Sequence, residues 1–190
     1  IIIEGNISHF KTEKQIYAAC NGIKPDIIIG GPPCQGFSIA GPAHKKDPND
    51  PRNTLFKDYA RWVKCLQPDV FIMENVKGIK TRKNSDNIKV LDIIKNSFRD
   101  LKYEVEIWTL NAAEYGVPQI RERVFIVGNR YNCHIGEPPK THLLTRSNGD
   151  TMVYDSSSIM QTAVTVWEAI SDLPTINAWE GEEEQFYSKE

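Results

Sequence analysis

Two stretches decide the fold: Ile27-Ile28-Ile29-Gly30-Gly31-Pro32-Pro33 and Val70-Phe71-Ile72-Met73-Glu74-Asn75. In the first, three consecutive apolar residues are what a strand covered on both faces requires, and Gly30-Gly31-Pro32-Pro33 can continue neither strand nor helix. The second is another buried strand, and it terminates in two polar residues where a sheet meets solvent. Between them Leu55, Phe56, Tyr59, Ala60, Val63 and Leu66 recur at spacings of three or four, which predicts a helix from Asn53 to Leu66 with one buried stripe. Gln67-Pro68-Asp69 stops it. Strand, helix, strand is the βαβ unit of a mostly parallel sheet.

The pattern continues outward. Ile88, Leu91, Ile94, Phe98 and Leu101 predict a helix over roughly Asn87 to Leu101, and two further strands are expected at Tyr103 to Leu110 and Val124 to Gly128. Thr165 to Ser171 reads as a short helix. Asp47-Pro48-Asn49-Asp50-Pro51 and the segment from Asn132 to Ser158 carry no periodicity and read as loops. Ile1-Ile2-Ile3 reads as a strand cut into from upstream, and Gly181-Glu182-Glu183-Glu184 leaves the apolar pattern behind, so 175–190 is expected to be an acidic linker.

Composition narrows the class. The 190 residues are 40% hydrophobic and 25% charged, which excludes a disordered tail or a collagen-like fibre. Twenty-three basic against 25 acidic side chains leave a formal charge of −2, so no whole-molecule field draws the protein onto a polyanion and any nucleic-acid contact must come from local patches. Cys20, Cys34, Cys65 and Cys133 form no CxxC pair, which suggests neither a zinc site nor a disulfide framework and fits a reducing compartment. His9, His44, His134 and His142 lack ligand spacing, and no metal is expected. No signal-peptide pattern opens the chain and no apolar run approaches the ~20 residues of a membrane helix, so a soluble intracellular protein is expected.

In open parallel sheets ligands bind beyond the carboxyl ends of the strands. One such end carries Cys34 in a glycine- and proline-rich loop, and another carries Glu74 and Asn75. A thiol near an acid on that rim suggests a soft covalent nucleophile working with a proton donor. An isolated cysteine is more often a small buried hydrophobe, and that reading is kept for Cys20, Cys65 and Cys133.

Pro33-Cys34-Gln35, Glu74-Asn75-Val76 and Gln119-Ile120-Arg121-Glu122-Arg123 stand in the order and approximate spacing of motifs of the C5-cytosine DNA methyltransferases, and the chain resembles that family over nearly its whole length. Glu4-Gly5-Asn6-Ile7, Asn53-Thr54-Leu55-Phe56 and Thr165-Val166-Trp167-Glu168-Ala169-Ile170 with Asp172-Leu173-Pro174 extend the match. The resemblance implies a Rossmann-like S-adenosylmethionine-dependent methyltransferase fold, α/β and incomplete at both ends. Residues 1–174 would be a partial catalytic domain lacking the first glycine-rich block and the last blocks, and 175–190 would lead toward a target-recognition domain.

It also implies a chemistry. The Cys34 thiolate would add to C6 of a cytosine flipped out of double-stranded DNA, Glu74 would assist at N3, and C5 would then take a methyl group from S-adenosylmethionine. Glu74 is therefore expected to be buried enough to hold a proton. By the same resemblance Arg121 and Arg123 line the catalytic pocket, and two arginines at i and i+2 of an extended segment share a side. Asn75 would hold the Cys34 loop, Gln35 and Ser38 would touch DNA, and the loop through Lys45 and Lys46 would close over the base. Asn6, Ile7, Pro33 and Leu55 match cofactor-contacting positions, although aspartate is commoner where Asn6 stands.

The reading is the modification enzyme of a restriction–modification system, acting with a cognate endonuclease, cytoplasmic in a bacterium or nuclear in a eukaryote. Two alternatives stay open: a tRNA cytosine-5 methyltransferase of the related branch, from which Gly36-Phe37-Ser38 points away, and a non-catalytic DNA-binding relative, against which Cys34, Glu74, Arg121 and Arg123 argue. Lys77, Lys80, Arg82 and Lys83 are either a phosphate-contacting patch or a solvated loop, and Trp62, Trp108 and Trp167 are expected to pack rather than stack on bases.

Overall fold

A computed structural model of the protein describes residues 5–32, 55–84, 86–144 and 160–173. The chain divides into two compact units, one of residues Ile1–Leu110 with Glu122–Pro138, the other of Asn111–Arg121 with Pro139–Glu190.

The first unit opens with a 3₁₀ turn at Ile7–His9, then α1 (Glu13–Ala19), β1 (Ile27–Gly30), α2 (Leu55–Leu66), β2 (Val70–Val76), a 3₁₀ turn at Lys77–Lys80, α3 (Val90–Arg99), β3 (Glu104–Asn111) and β4 (Glu122–Asn129). The strands lie in the order β1-β2-β4-β3. β1 and β2 are parallel, joined by α2 as the sequence predicts, and Ile28 sits opposite Phe71. β2 and β4 are antiparallel, with Phe71 opposite Gly128, Glu74 opposite Phe125 and Val76 opposite Arg123. The sheet is thus mixed, its parallel part being the βαβ unit.

Alternation sorts the strand residues by face. Phe71, Met73, Val124 and Ile126 point to the side on which α2 and α3 lie, and with Tyr59, Val63, Ile94, Phe98 and Tyr103 they form the main core. The rings of Phe71 and Phe98 stack at 4.0 Å, with Tyr103 edge-on to Phe71 at 5.2 Å. A Cβ at Gly128 would lie 2.0 Å from the Phe71 ring, so glycine is required where that ring crosses β4.

α1 is an element for which periodicity gave no signal, but a local one exists: Thr12 accepts from the Gln15 amide at 3.3 Å while the Gln15 side chain reaches back to Thr12 N at 3.0 Å, a reciprocal capping box. Ile16 buries this helix against Cys65 and Leu66 of α2, with Phe10 edge-on to Trp62 at 5.3 Å. Cys65 is buried there as expected, Cys20 is partly buried, and Cys133 is exposed.

In the first unit three expectations about strands and helix ends need correction. Ile27 and Ile29 are 54% and 72% exposed, because β1 is the edge strand of the described sheet and only the Ile28 side is covered by helices. The third helix starts at Val90 rather than near Asn87: Asn87 has φ 64°, Lys83 bridges Lys89, and Ile88 is left exposed. Strand β2 runs on to Val76, so Asn75 is a buried strand residue, 4% exposed, and not a solvent-facing end.

In the second unit Asn111 caps the 3₁₀ turn Ala112–Tyr115 by accepting from Ala113 N at 3.2 Å, and it also accepts from Arg121 N at 3.1 Å. Ala112 N donates to Arg121 O at 3.0 Å, so residues 111–121 close on themselves. Glu114, 5% exposed, is paired with Lys140 at 2.6 Å. Short parallel strands β5 (His142–Leu143) and β6 (Gln161–Thr162) pair within the segment expected to be irregular and just past it, and α4 (Val166–Ile170) begins with a second capping box, Thr165 with Glu168. Trp167 does not pack: it is 75% exposed, on a helix whose Val166 and Ile170 are exposed too.

Candidate active site

The parallel register of β1 and β2 brings their carboxyl ends side by side, with Gly30 opposite Met73, so the Gly30-Gly31-Pro32 stem leaves the sheet next to Glu74 and Asn75. Pro33, Cys34, Gln35 and Ser38, and the loop through Lys45 and Lys46, lie outside the described residues, as do Asn53, Thr54, 175–190 and Trp179. What the structure builds is the stem and its surroundings.

Glu74 and Arg123 are diagonal neighbours across β2 and β4, since Glu74 opposes Phe125 and Arg123 stands two residues away on the same face. Their side chains meet, Arg123 Nε to Glu74 Oε1 at 2.8 Å, while an Arg123 terminal nitrogen donates to Glu122 O at 2.8 Å. The carboxylate and the adjoining carbonyl thus hold the guanidinium fork in one orientation. The other carboxylate oxygen of Glu74 faces the stem, lying 3.2 Å from where a Gly31 Cβ would stand. Any side chain at Gly31 would therefore press on it.

Glu74 was expected to be buried. It retains 37% of its side-chain exposure, and Arg123 retains 24%, because the face of the sheet that carries them is the one on which Ile27 and Ile29 are also open. The carboxyl is oriented by an ion pair rather than sealed from water.

On the opposite face Asn75 donates from Nδ2 to Pro32 O at 3.4 Å and accepts Val76 N at 2.9 Å, tying the stem to β2. The resemblance implies that Asn75 holds the Cys34 loop; the described contact is with Pro32, the residue before that loop's undescribed part. Tyr59, from α2, adds a second tie. Its hydroxyl lies 3.0 Å from both Ile28 O and Ile72 O, sharing one proton between neighbouring strands. Burial pushes this hydroxyl up, outweighing the bond to Ile72, so it stays protonated and a donor. Tyr59 carried no functional signal in the sequence, where it read as one apolar member of a helical stripe.

The two arginines do not share a strand. β4 starts at Glu122, so Arg123 is within it, whereas Arg121 is exposed and belongs to the self-closed loop 111–121 of the second unit. Near β2, Lys77 pairs with Glu122 at 2.6 Å, Lys80 donates to Thr109 at 3.0 Å and Lys83 to Asn87 at 2.9 Å. These lysines are engaged with neighbours from β4, β3 and the loop itself.

Asn6 caps the Ile7–His9 turn, its Oδ1 accepting from Ser8 N at 2.9 Å. An amide oxygen has two lone pairs, so one acceptor site remains, together with both N–H donors of the amide. Ile7 and Leu55 are half-buried, and the turn lies against α2, the helix that Leu55 begins. The remaining acceptor and donors of Asn6 are groups that could bind the amino-bearing edge of an aromatic ring.

A carboxylate of β2 clamped by an arginine of β4 thus lies beside the glycine stem that precedes Pro33-Cys34-Gln35 in the sequence. The chain belongs to the C-5 cytosine-specific DNA methylase family, whose model matches residues 2–189. It is 44% identical over 163 residues to the Type II methyltransferase M.DdeI of Desulfomicrobium norvegicum, covering 85% of this chain and 35% of that protein. It is 39% identical over 179 residues to the Type II methyltransferase M.AquIA of Picosynechococcus sp., covering 91% of this chain and 71% of that one. Among solved structures it matches a protein described as a DNA modification methyltransferase encoded within an E. coli prophage, with TM-score 0.61 and 29% identity over 92% of this chain and 42% of that one. The chain thus spans about a third of the length of M.DdeI.

Proposed function

We propose that the chain is the catalytic portion of an enzyme that methylates C5 of cytosine in DNA, and that it serves a restriction–modification system, a reading supported by its similarity to proteins named Type II methyltransferases. The observation that carries this is the Glu74–Arg123 pair at 2.8 Å, set beside the stem that leads to Cys34 in a chain of this family.

C5 of cytosine is a poor nucleophile until the ring is activated. In the proposed mechanism the Cys34 sulfur bonds to C6, pushing electron density onto N3 and C5. Glu74 would take up a proton as the base binds and donate it toward N3, with Arg123 fixing the carboxyl so that one oxygen stays turned toward the stem. S-adenosylmethionine, when bound, would supply the methyl group that C5 takes up, leaving as S-adenosylhomocysteine. Loss of the C5 proton then expels Cys34, a sulfur being both strongly nucleophilic and able to leave. Asn6, Ile7, Pro33 and Leu55 would hold the cofactor, and Arg121, Gln35 and Ser38 would hold the flipped base and its backbone, flipping costing a few kcal/mol that these contacts offset.

Residues 1–174 are proposed to be the catalytic domain and 175–190 a linker. Among the described residues no helix is long and apolar enough to cross a membrane. We place the enzyme in the cytoplasm, where a bacterial DNA-modifying enzyme meets its substrate; the proteins it resembles include bacterial ones. The test is methyl transfer from labelled S-adenosylmethionine to DNA by the full-length protein, with cytosine C5 as the position labelled; transfer to tRNA but not DNA would favour the related branch, and transfer to neither would overturn the proposal.

A further inference from the structure

Three side chains flank the Gly30–Pro32 stem, and the mechanism above uses only Glu74. Glu74 lies over Gly31 from the open face of the sheet, and Asn75 bonds Pro32 O. Tyr59 comes from α2 on the covered face and is 3% exposed. Its hydroxyl contacts Ile28 O of β1 and Ile72 O of β2, both at 3.0 Å, and these residues stand two positions before Gly30 and two before Glu74 respectively. Its ring occupies the space beside Gly30, where a Cβ would come within 2.6 Å of the ring edge. The ring is itself held edge-on by Phe71 at 6.4 Å and Phe98 at 6.3 Å. A core aromatic needs no hydroxyl to fill this space, and a phenylalanine would fill it equally well. The hydroxyl is an added feature that does one thing: it laces the two strands together immediately before the residues that define the site.

We propose that Tyr59 is a positioning residue of this site, whose hydroxyl fixes the spacing between the stem of the Cys34 loop and Glu74 by bridging the carbonyls of Ile28 and Ile72. It touches neither base nor cofactor. Its effect reaches the reaction through the relative placement of two groups that act on one ring, where displacement of about 1 Å is enough to slow chemistry up to 10²-fold. The proposal rests on the reading of Cys34 and Glu74 given above.

The experiment compares Tyr59→Phe with Val63→Ala in the full-length protein. Both change the same buried helix face, but only the first removes the bridge. Three quantities are read: thermal stability, the rate of covalent adduct formation with 5-fluorocytosine DNA in the presence of S-adenosylmethionine, and the hydrogen-exchange rate of the Gly31 amide. Tyr59→Phe is expected to slow adduct formation about tenfold, the scale of one lost hydrogen bond, with DNA affinity unchanged and faster exchange at Gly31. Val63→Ala is expected to lower stability more while leaving both rates near the parent's. Equal slowing in the two variants, or parent-like rates in Tyr59→Phe, would overturn the positioning role. The exchange measurement keeps the two readings apart: absence of any adduct in the parent counts against the proposed function, whereas Gly31 exchange unchanged in Tyr59→Phe counts against the bridge whatever the chemistry.

Discussion

Replacing Gly128 with alanine tests whether the cross-strand register that places Glu74 diagonal to Arg123 is set by packing. In β4 Gly128 opposes Phe71, and an added Cβ would stand 2.0 Å from one ring carbon and 2.4 Å from the next. The ring has no route of retreat: Phe98 stacks on it at 4.0 Å, and Tyr103 and Tyr59 abut it edge-on at 5.2 and 6.4 Å. Overpacking of this kind costs about 1–3 kcal/mol, more where neighbours cannot move. In a chain of this size 1 kcal/mol shifts the melting temperature by ~2–4 °C, so a fall of ~2–12 °C is expected by thermal unfolding followed by circular dichroism. Gly128→Ala with Phe71→Leu should recover part of the loss, because the leucine vacates the space the methyl needs, giving a coupling of about 0.5–3 kcal/mol in the double-mutant cycle. Additive losses, or a Gly128→Ala protein as stable as its parent, would refute the claim that Phe71 and Gly128 lock β2 against β4.

Other consequences are chemical or electrostatic. Glu74→Gln should lower kcat for methyl transfer by roughly 10²–10⁴-fold, the scale of a lost general acid, while leaving DNA affinity near the parent's in a gel-shift titration. Arg123→Lys keeps the charge but loses the fork that spans Glu74 and Glu122 O, and is expected to reduce kcat about tenfold, with little change in melting temperature, since a partly exposed ion pair contributes about 1 kcal/mol or less. Glu106 offers a pH test: burial alone would raise its carboxyl, but the amides of Ile135 and Gly136, the Trp108 indole and His134 outweigh this and hold it below the usual range. A carboxyl depressed in the folded state contributes stability that is present above its unfolded pKa and lost as pH falls through the folded value. The melting-temperature gap between parent and Glu106→Gln should therefore be full at neutral pH and shrink below about pH 4; a gap independent of pH would count against the clasp that Glu106 makes on Ile135 and Gly136.

The βαβ unit was legible because its signals are local: consecutive isoleucines, a helical stripe and proline-punctuated ends each specify their element without reference to the rest. The strand boundaries moved by a residue or two, and one such movement mattered, since extending β2 to Val76 buries Asn75 and starting β4 at Glu122 puts Arg123, but not Arg121, on the strand. The exposure of Ile27 and Ile29 was illegible, because hydrophobicity reports what a residue prefers and not which neighbours are there to cover it. The same holds for Trp167. Glu74 and Arg123 could be named from motifs, yet their contact depends on the antiparallel register of β2 and β4, which is set by pairs such as Phe71 and Gly128 far apart in the chain. Tyr59 was hidden for another reason. Its ring satisfies the helical stripe completely, and its hydroxyl finds partners only once β1 and β2 lie side by side. α1 had a readable capping box at Thr12 and Gln15 but too few apolar positions for periodicity to register.

The account turns on Cys34 as the nucleophile. Incubating the full-length protein with S-adenosylmethionine and DNA carrying 5-fluorocytosine, then resolving the mixture under denaturing conditions, tests it directly, because fluorine at C5 blocks the final elimination and leaves the protein bound. The account predicts a denaturation-resistant protein–DNA adduct with the native sequence and none with Cys34→Ser. An adduct that persists in Cys34→Ser would contradict it.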